Sequence, residues 1–359
     1  METFTINKLG AIFFKRIPDK ATVFIEKNEL NFESGLLTSS LFIANLFPKT
    51  YEIKITKDGY QSWQKTLSVK PSLVTEVPPI ILLPFSIDLG KPLLKQREDF
   101  WVGPKYLISR SPNRVLWFNN QKIVGEEIAS WSEDGETVIS RSGNTYFATN
   151  LQMPWSAINL NLALANLKIK SVQFHPQNSD ELIIQTTAGL YLLNIQSLVL
   201  KIFKSTIADF QPITRLESSP NKNYLALLNE KNELYLIDFS NSQPKKLADN
   251  ATDFKFSPDE KQIAFITKNK EVVTDFLKEN KAMAVLNIGI PEDGKLSWHR
   301  DSSHLFIQYP EALYLLEGNN LPPINLQLVT NGATQHFYKA EENILYILKN
   351  QSLYKLNFE

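Results

Sequence analysis

The chain has 359 residues, a length that suggests about two domains at roughly 150 residues each. Its 38 Lys+Arg balance 38 Asp+Glu, so it lacks the broad basic field of a general nucleic-acid or anionic-membrane binder. Hydrophobic residues at 43% exclude global disorder, and 0 Cys excludes disulfides, thiolate zinc sites and cysteine nucleophiles.

The chain opens METFTINKLGAIFF, with no basic leader and no small-residue cleavage site. Its most apolar runs, residues 9–14 and 78–85, fall far short of the roughly 20 residues that cross a bilayer as a helix. The expectation is a soluble chain, attached to a membrane only through an anchor that this sequence does not contain. Residues 21–25 (ATVFI) and 51–55 (YEIKI) alternate with period two, so Tyr51, Ile53 and Ile55 share one face. Lys57, Asp58 and Gly59 form a turn, and residues 60–69 (YQSWQKTLSV) read as the partner strand. Leu46 and Pro48 read as a strand-entry loop.

These residues resemble the PEGA domain, a small β-module of bacterial and archaeal surfaces. Pro18, Asp19, Lys20 and Ala21 stand for its naming tetrapeptide, with Lys20 in place of the usual Gly. Phe47, Pro48, Lys49, Thr50 and Tyr51 stand for its Pro-Pro-Gly-x-Tyr element, again with Lys for Gly, and Gly59 and Tyr60 match. The resemblance implies an all-β sandwich over residues 1–84, an extracytoplasmic place at the cell envelope, and no catalytic residue to transfer.

The remainder repeats. An aromatic or small residue, a Ser/His-Pro-Asp/Asn-like turn and a short apolar strand recur at Trp131, Phe174, Ser218, Phe256, Trp298 and Phe337, spaced 38 to 44 residues apart. A degenerate copy starts near Trp101. This period, with four short strands per unit, is the signature of a β-propeller. In the unit at Phe256, residues 252–256, 262–267, 271–276 and 282–288 serve as strands a to d. The last unit ends after strand c, so residues 85–94 are expected to supply its fourth strand and cover open sheet edges. The fold class is thus all-β, a PEGA-like sandwich followed by a seven-bladed propeller over residues 85–359, or six blades if residues 95–130 merge with a neighbour. The turn FSPDEKQIAF resembles TolB-like and WD-type propeller repeats, a likeness specific to fold and weak for function.

Catalytic and cofactor motifs are missing: no G-x-S-x-G elbow, no Walker or dinucleotide glycine loop, no calcium loop. No cofactor is expected. His299, Asp301 and His304 are the nearest approach to a metal cluster, but their spacing and turn setting favour a structural role, as for His175 and His336 at equivalent turns. The turn carboxylates Asp134 and Asp259 read likewise.

In a propeller, b–c and d–a loops emerge together. The candidate ligand-binding residues are therefore Asn120, Asn144, Asn232 and Lys270 from b–c loops, and Arg97, Asp99, Glu127 and Asp249 from d–a loops. Their amides and charges suit a protein, a peptide or a cell-wall glycan; nucleic acid is not expected. Trp155, in an insertion over residues 150–168, is expected to pack on the fold. Together these features point to a non-enzymatic binding or scaffold protein of the bacterial envelope. The alternative is a glycan- or peptide-acting hydrolase or lyase at the channel mouth, which needs carboxylates, His and Arg converging on one point.

Overall fold

A computed structural model describes residues 8–30, 40–164, 167–175, 178–202, 212–240, 244–278 and 284–358. The chain divides into two compact units. One joins Met1–Asp88, Ser257–Ala264 and Lys270–Ala333; the other joins Leu89–Phe256, Phe265–Asn269 and Thr334–Glu359. Among the described residues the only helix is the single turn Leu160–Ala163.

In the first unit, strands Asn28–Leu30, Thr22–Ile25, Thr50–Thr56 and Trp63–Ser68 form one sheet in that order. Leu41–Leu46, Gly10–Phe14 and Val74–Val77 form a second, in which Gly10–Phe14 and Val74–Val77 run parallel. Alternation makes the sandwich. Tyr51, Ile53 and Ile55 turn inward from the first sheet and meet Ile12, Phe14 and Val77 from the second. Phe14 and Trp63 meet edge-on, ring centroids 6.3 Å apart. Two features differ from the sequence reading. Leu46 ends a strand instead of belonging to an entry loop, and the parallel strand Val74–Val77 carries no local signal, because its partner lies more than sixty residues earlier.

Beyond residue 90 the chain builds four-stranded antiparallel meanders. Consecutive strands pair in order over Asp99–Val102 to Gln121–Ile123, Glu127–Trp131 to Ala157–Asn159, Ile169–His175 to Leu200–Ile202, Ile213–Ser218 to Pro244–Ala248, and Lys295–Trp298 to Leu326–Asn331. Glu271–Phe276 pairs with Ala284–Asn287 in the same way; residues 282 and 283, read as part of that last strand, lie outside the described residues. Ala333–Lys339, Ile344–Lys349 and Ser352–Asn357 form a sheet whose fourth strand is Leu94–Lys95, with Leu353 opposite Leu94 and Leu93 N donating to Leu353 O at 2.7 Å. A segment from far earlier in the chain thus covers the edge of the C-terminal strand.

One turn recurs between first and second strands. Ser132, Ser219, Ser257 and His299 each donate their N–H to the carbonyl of the residue that opens the next strand, at 2.9 Å in every case. Three residues on, the N–H of Gly135, Lys222, Glu260 or Ser302 returns to that Ser or His carbonyl at 2.9 to 3.0 Å. Each returning residue has a left-handed backbone, φ 70, 58, 55 and 55 respectively. The serine hydroxyl closes the ring: Ser132 and Ser257 accept from Thr137 N and Gln262 N at 2.8 and 3.0 Å, and donate to Asp134 and Asp259 at 2.6 and 2.7 Å. The Ser/Asp pairing thus holds the hairpin register through local bonds, independently of the core. The equivalent turn after His175 contains residues 176 and 177, which lie outside the described residues.

Within the first unit, the sandwich is tied to the sheet over residues 295–331 by a buried polar cluster. Lys65 and Glu317, at 1% and 3% side-chain exposure, lie 3.5 Å apart. Glu317 also accepts from Trp63 Nε1 at 2.9 Å, Asn325 Nδ2 at 2.9 Å and Asn319 Nδ2 at 2.8 Å, while Lys65 Nζ donates to Leu321 O at 2.6 Å. Asn325 pairs with the backbone of Gln64, and Thr66 N donates to Pro322 O, so the edge strand Trp63–Ser68 is covered. Gln61 and Gln327 make matching amide pairs, Gln61 with the backbone of Leu328 and Gln327 with Leu83 N and Ile81 O. Burial pushes the Lys65 ammonium below its ordinary range, and Glu317 works against that shift.

Two stability outcomes follow from this packing. Ser257→Ala leaves Gln262 N without its acceptor and is expected to lose about 1–2 kcal/mol in urea unfolding. Glu317→Ala strands the Lys65 charge and is expected to lose roughly 3–5 kcal/mol, whereas Lys65→Met combined with Glu317→Gln recovers much of the loss. Equal losses for the single and double variants, measured by the same unfolding curves, would count against an ionic role.

Candidate functional site

The second unit concentrates charge on first strands. Arg215 and Glu217 lie two residues apart on Ile213–Ser218, and Asp253 and Lys255 two apart on Ala251–Phe256, so each pair shares a strand face. Arg215 donates to Glu217 at 2.7 Å and ion-pairs closely with Asp253; Lys255 donates to Glu217 at 2.7 Å. The Arg215 guanidinium also donates to Phe254 O at 2.9 Å and lies over the Phe254 ring at 4.4 Å. Burial pushes the Glu217 carboxyl up, but Lys255 and Arg215 outweigh it and hold the carboxyl below its ordinary range. Burial likewise opposes the Arg215 charge, and Glu217 and Asp253 more than restore it. Two acids and two bases therefore pair with one another in one group. Sequence reasoning missed this ladder. The signal was a charge at each of two alternate positions, recurring with inverted sign after 38 residues, one repeat length.

Asp99 and Glu127 come together around Arg110 in a second group, which Arg97 does not join. Arg110 pairs with Glu98 at 2.9 Å, Asp99 at 3.2 Å and Glu127 at 3.8 Å, and Arg141 pairs with Glu127 at 2.6 Å. Burial raises the Asp99 carboxyl and Arg110 pulls it back. Next to this network, Arg97 and Asn120 line an open hollow of about 500 Å³ with Trp117 and Gln351. Asn120 differs from its expected place: it lies in the hairpin joining Leu116–Phe118 to Gln121–Ile123, the third and fourth strands of its sheet. The strands here are only three or four residues long, so the hairpin was one strand later than its spacing suggested.

The other candidates lie elsewhere. Asn144 occupies the hairpin between Thr137–Ser142 and Thr145–Asn150, and its carbonyl accepts from Asn161 Nδ2 at 3.1 Å. Asn232 and Asp249 share a different locality: Ala251 N donates to Asn232 O at 2.8 Å, and Lys246 bridges Glu233 at 2.6 Å and Asp249 at 2.5 Å. Lys270 belongs to the first unit, with a left-handed φ of 66 just before Glu271–Phe276. Trp155 does not pack on the fold: it is 74% exposed, as is Leu162 at 76%. The one-turn helix Leu160–Ala163 buries only Leu160.

His299, Asp301 and His304 form a compact group in the first unit. His299 Nδ1 and His304 Nδ1 lie 3.1 and 2.8 Å from the two Asp301 oxygens, and the possible ligand atoms fall within 4.8 Å of one another. Burial pushes the Asp301 carboxyl up, but hydrogen bonds from both imidazoles hold it well below the ordinary carboxylate range. Ser303 N and His304 N also donate to Asp301 Oδ1, at 2.9 and 3.1 Å. The group repeats the Ser-x-Asp turn with His in the Ser position, and both Nδ1 atoms face Asp301.

The family model described as the NUP159/214 beta propeller matches residues 149–307. No curated protein matches significantly. Among solved structures, hydrazine synthase from Kuenenia stuttgartiensis is 10% identical with a TM-score of 0.51, covering 74% of this chain and 97% of that one. The Swd1 β-propeller domain from Myceliophteria thermophila is 12% identical with a TM-score of 0.49, covering 74% and 100%. The N-terminal domain of Nup159 is 13% identical with a TM-score of 0.39, covering 66% and 75%. At such identity the likeness concerns fold alone: this chain is propeller-like, and its described residues are all-β with almost no helix. Among the described residues no helix is long and apolar enough to cross a membrane.

The charge ladder has a neutral neighbour whose titration is measurable. Burial holds the His336 imidazole down at about 4, with Asp253 pulling the other way. Between that value and 6.5 the unfolded chain takes up a proton that the folded chain refuses. The resulting stability is fully present above pH 6.5 and is lost as pH falls through 4, by roughly 3 kcal/mol. His336→Gln is expected to remove this part of the loss. Urea midpoints at pH 7 and 4.5 that shift equally in both proteins would place the titration elsewhere.

Proposed function

We propose that this chain is a non-enzymatic binding scaffold of the bacterial cell envelope, engaging a protein, a peptide or a cell-wall glycan. Residues 1–84 act as a PEGA-like module. Residues 85–359 act as a seven-bladed propeller, with residues 85–94 closing the last blade. The observation that carries the reading is the mutual ion pairing of Arg215, Glu217, Asp253 and Lys255, which commits these charges to one another and fixes neighbouring first strands. The meander sheets and the strand Leu94–Lys95 beside the C-terminal strand support seven blades. Lys20, at the usual glycine of the PEGA tetrapeptide, has a left-handed φ of 57, the conformation a glycine there supplies. The envelope location rests on that resemblance.

Purified chain incubated with cell-wall glycan fragments and with peptides is expected to bind without consuming them. Product release that Glu217→Gln abolishes would replace this reading with the hydrolase or lyase. In fractionated cells the protein is expected with the envelope, and recovery in the cytosol alone would overturn the location.

A further inference from the structure

Arg97 stands apart from the other arginines of the second unit. Arg110, Arg114, Arg141 and Arg215 each have a carboxylate partner within 4 Å. Arg97 has none among the described residues, although it is only partly exposed. Its position is nevertheless firmly set. Its backbone N–H donates to Gln351 O at 2.9 Å, Nε to Ser109 Oγ at 2.8 Å, and Nη1 to the carbonyls of Lys95 and Gln96 at 2.8 and 3.0 Å. The Nη2 edge keeps both donors. The nearest acids, Glu98 and Asp99, are held by Arg110. Burial, with no acid to oppose it, pulls the Arg97 charge down. An oriented, uncompensated guanidinium is a receptor for an anion.

What surrounds it narrows the class. The hollow is lined by Gln96, Asn113, Asn120 and Gln351, each with a primary amide, and by Trp117; the Asn113 Oδ1 already accepts from Ser111 Oγ. Each amide carries a donor and an acceptor in one plane, the same pair that a peptide unit presents. Trp117 offers apolar area to a side chain, with its Nε1 already donating to Ser111 Oγ at 3.2 Å. One guanidinium matches one carboxylate, whereas a phosphate of nearly two charges is left half-neutralised. Asn350 and Gln351 form a two-residue turn between Lys349 and Ser352, with φ 50 and 55, and Gln96 has φ 54.

We propose that this hollow binds a short peptide segment through a carboxylate, with Arg97 taking the charge, the amides taking the peptide groups and Trp117 taking an apolar side chain. The proposal rests on the binding-scaffold reading and specifies its ligand class. The test uses the full chain and two fluorescein-labelled tetrapeptide sets, identical except that one ends in a free carboxylate and the other in an amide. Fluorescence anisotropy is expected to show the free set binding about tenfold more tightly. Arg97→Gln is expected to erase the difference. Gln351→Gly, which relaxes the backbone, is expected to weaken the free set severalfold while leaving Tm unchanged or higher. Equal binding of the two sets, binding of neither, a difference that survives Arg97→Gln, or tighter binding of a uronic-acid oligosaccharide than of both sets overturns the proposal. Mass spectrometry of the recovered peptides separates the two readings. Intact but unbound peptides sink the hollow alone, and cleaved peptides sink the scaffold reading whether or not the hollow binds.

Discussion

A four-stranded meander of short strands has little apolar area with which to choose its register, so the turns must choose it. Here the first hairpin of four sheets is closed by a Ser or His that accepts the returning N–H on its own carbonyl, three residues before a left-handed residue. Only one of the four left-handed positions, Gly135, is a glycine. Lys222, Glu260 and Ser302 adopt the same backbone at a cost of about 1–2 kcal/mol each, which the hydrogen-bonded ring around Ser or His must offset. A one-residue slip would turn buried runs such as Tyr224–Asn229 and Gln262–Thr267 out of step with their partners and break every ring bond at once.

Between sheets the joints are polar as well as apolar. Gln335 clasps Phe100 through both N and O, Gln185 accepts from Ile213 N, and Ser130 accepts from Phe174 N. Each joint satisfies a backbone group on a first strand, the edge strand of its sheet. The Arg215 ladder and the Lys65–Glu317 cluster apply the same rule to full charges, which survive burial because each has a partner and further hydrogen bonds. Breaking one partner is costly, so these charges select one arrangement of neighbouring strands over a merely hydrophobic collapse.

Much of the strand pattern was legible because it is periodic. The 38- to 44-residue spacing and the alternation in residues 51–55 are local properties, and the strands Gln262–Thr267 and Glu271–Phe276 coincide with the segments read from them. What escaped was non-local. The parallel pairing of Gly10–Phe14 with Val74–Val77 leaves no mark in either segment, and Glu317 shows its meaning only beside Trp63 and Lys65. Trp155 escaped for another reason: an apolar residue in an insertion reads as core by composition, yet Trp155 is exposed and the one-turn helix buries only Leu160. Of the candidate site residues, loop position grouped Arg97, Asp99 and Glu127 in one neighbourhood, but it carried no information about which of them is already neutralised.

That last distinction separates scaffold from site on this surface. Asp99, Glu127 and Asp249 each have a cation at hand, so their charges hold loops in place. Arg97 is held just as firmly, but by carbonyls and a hydroxyl, neutral acceptors that fix its direction without cancelling its charge. A structural arginine gains most from a carboxylate, because charge-assisted bonds are about twice as strong as those to neutral acceptors. An arginine braced by neutral groups instead keeps its charge uncancelled while its neighbours fix its position.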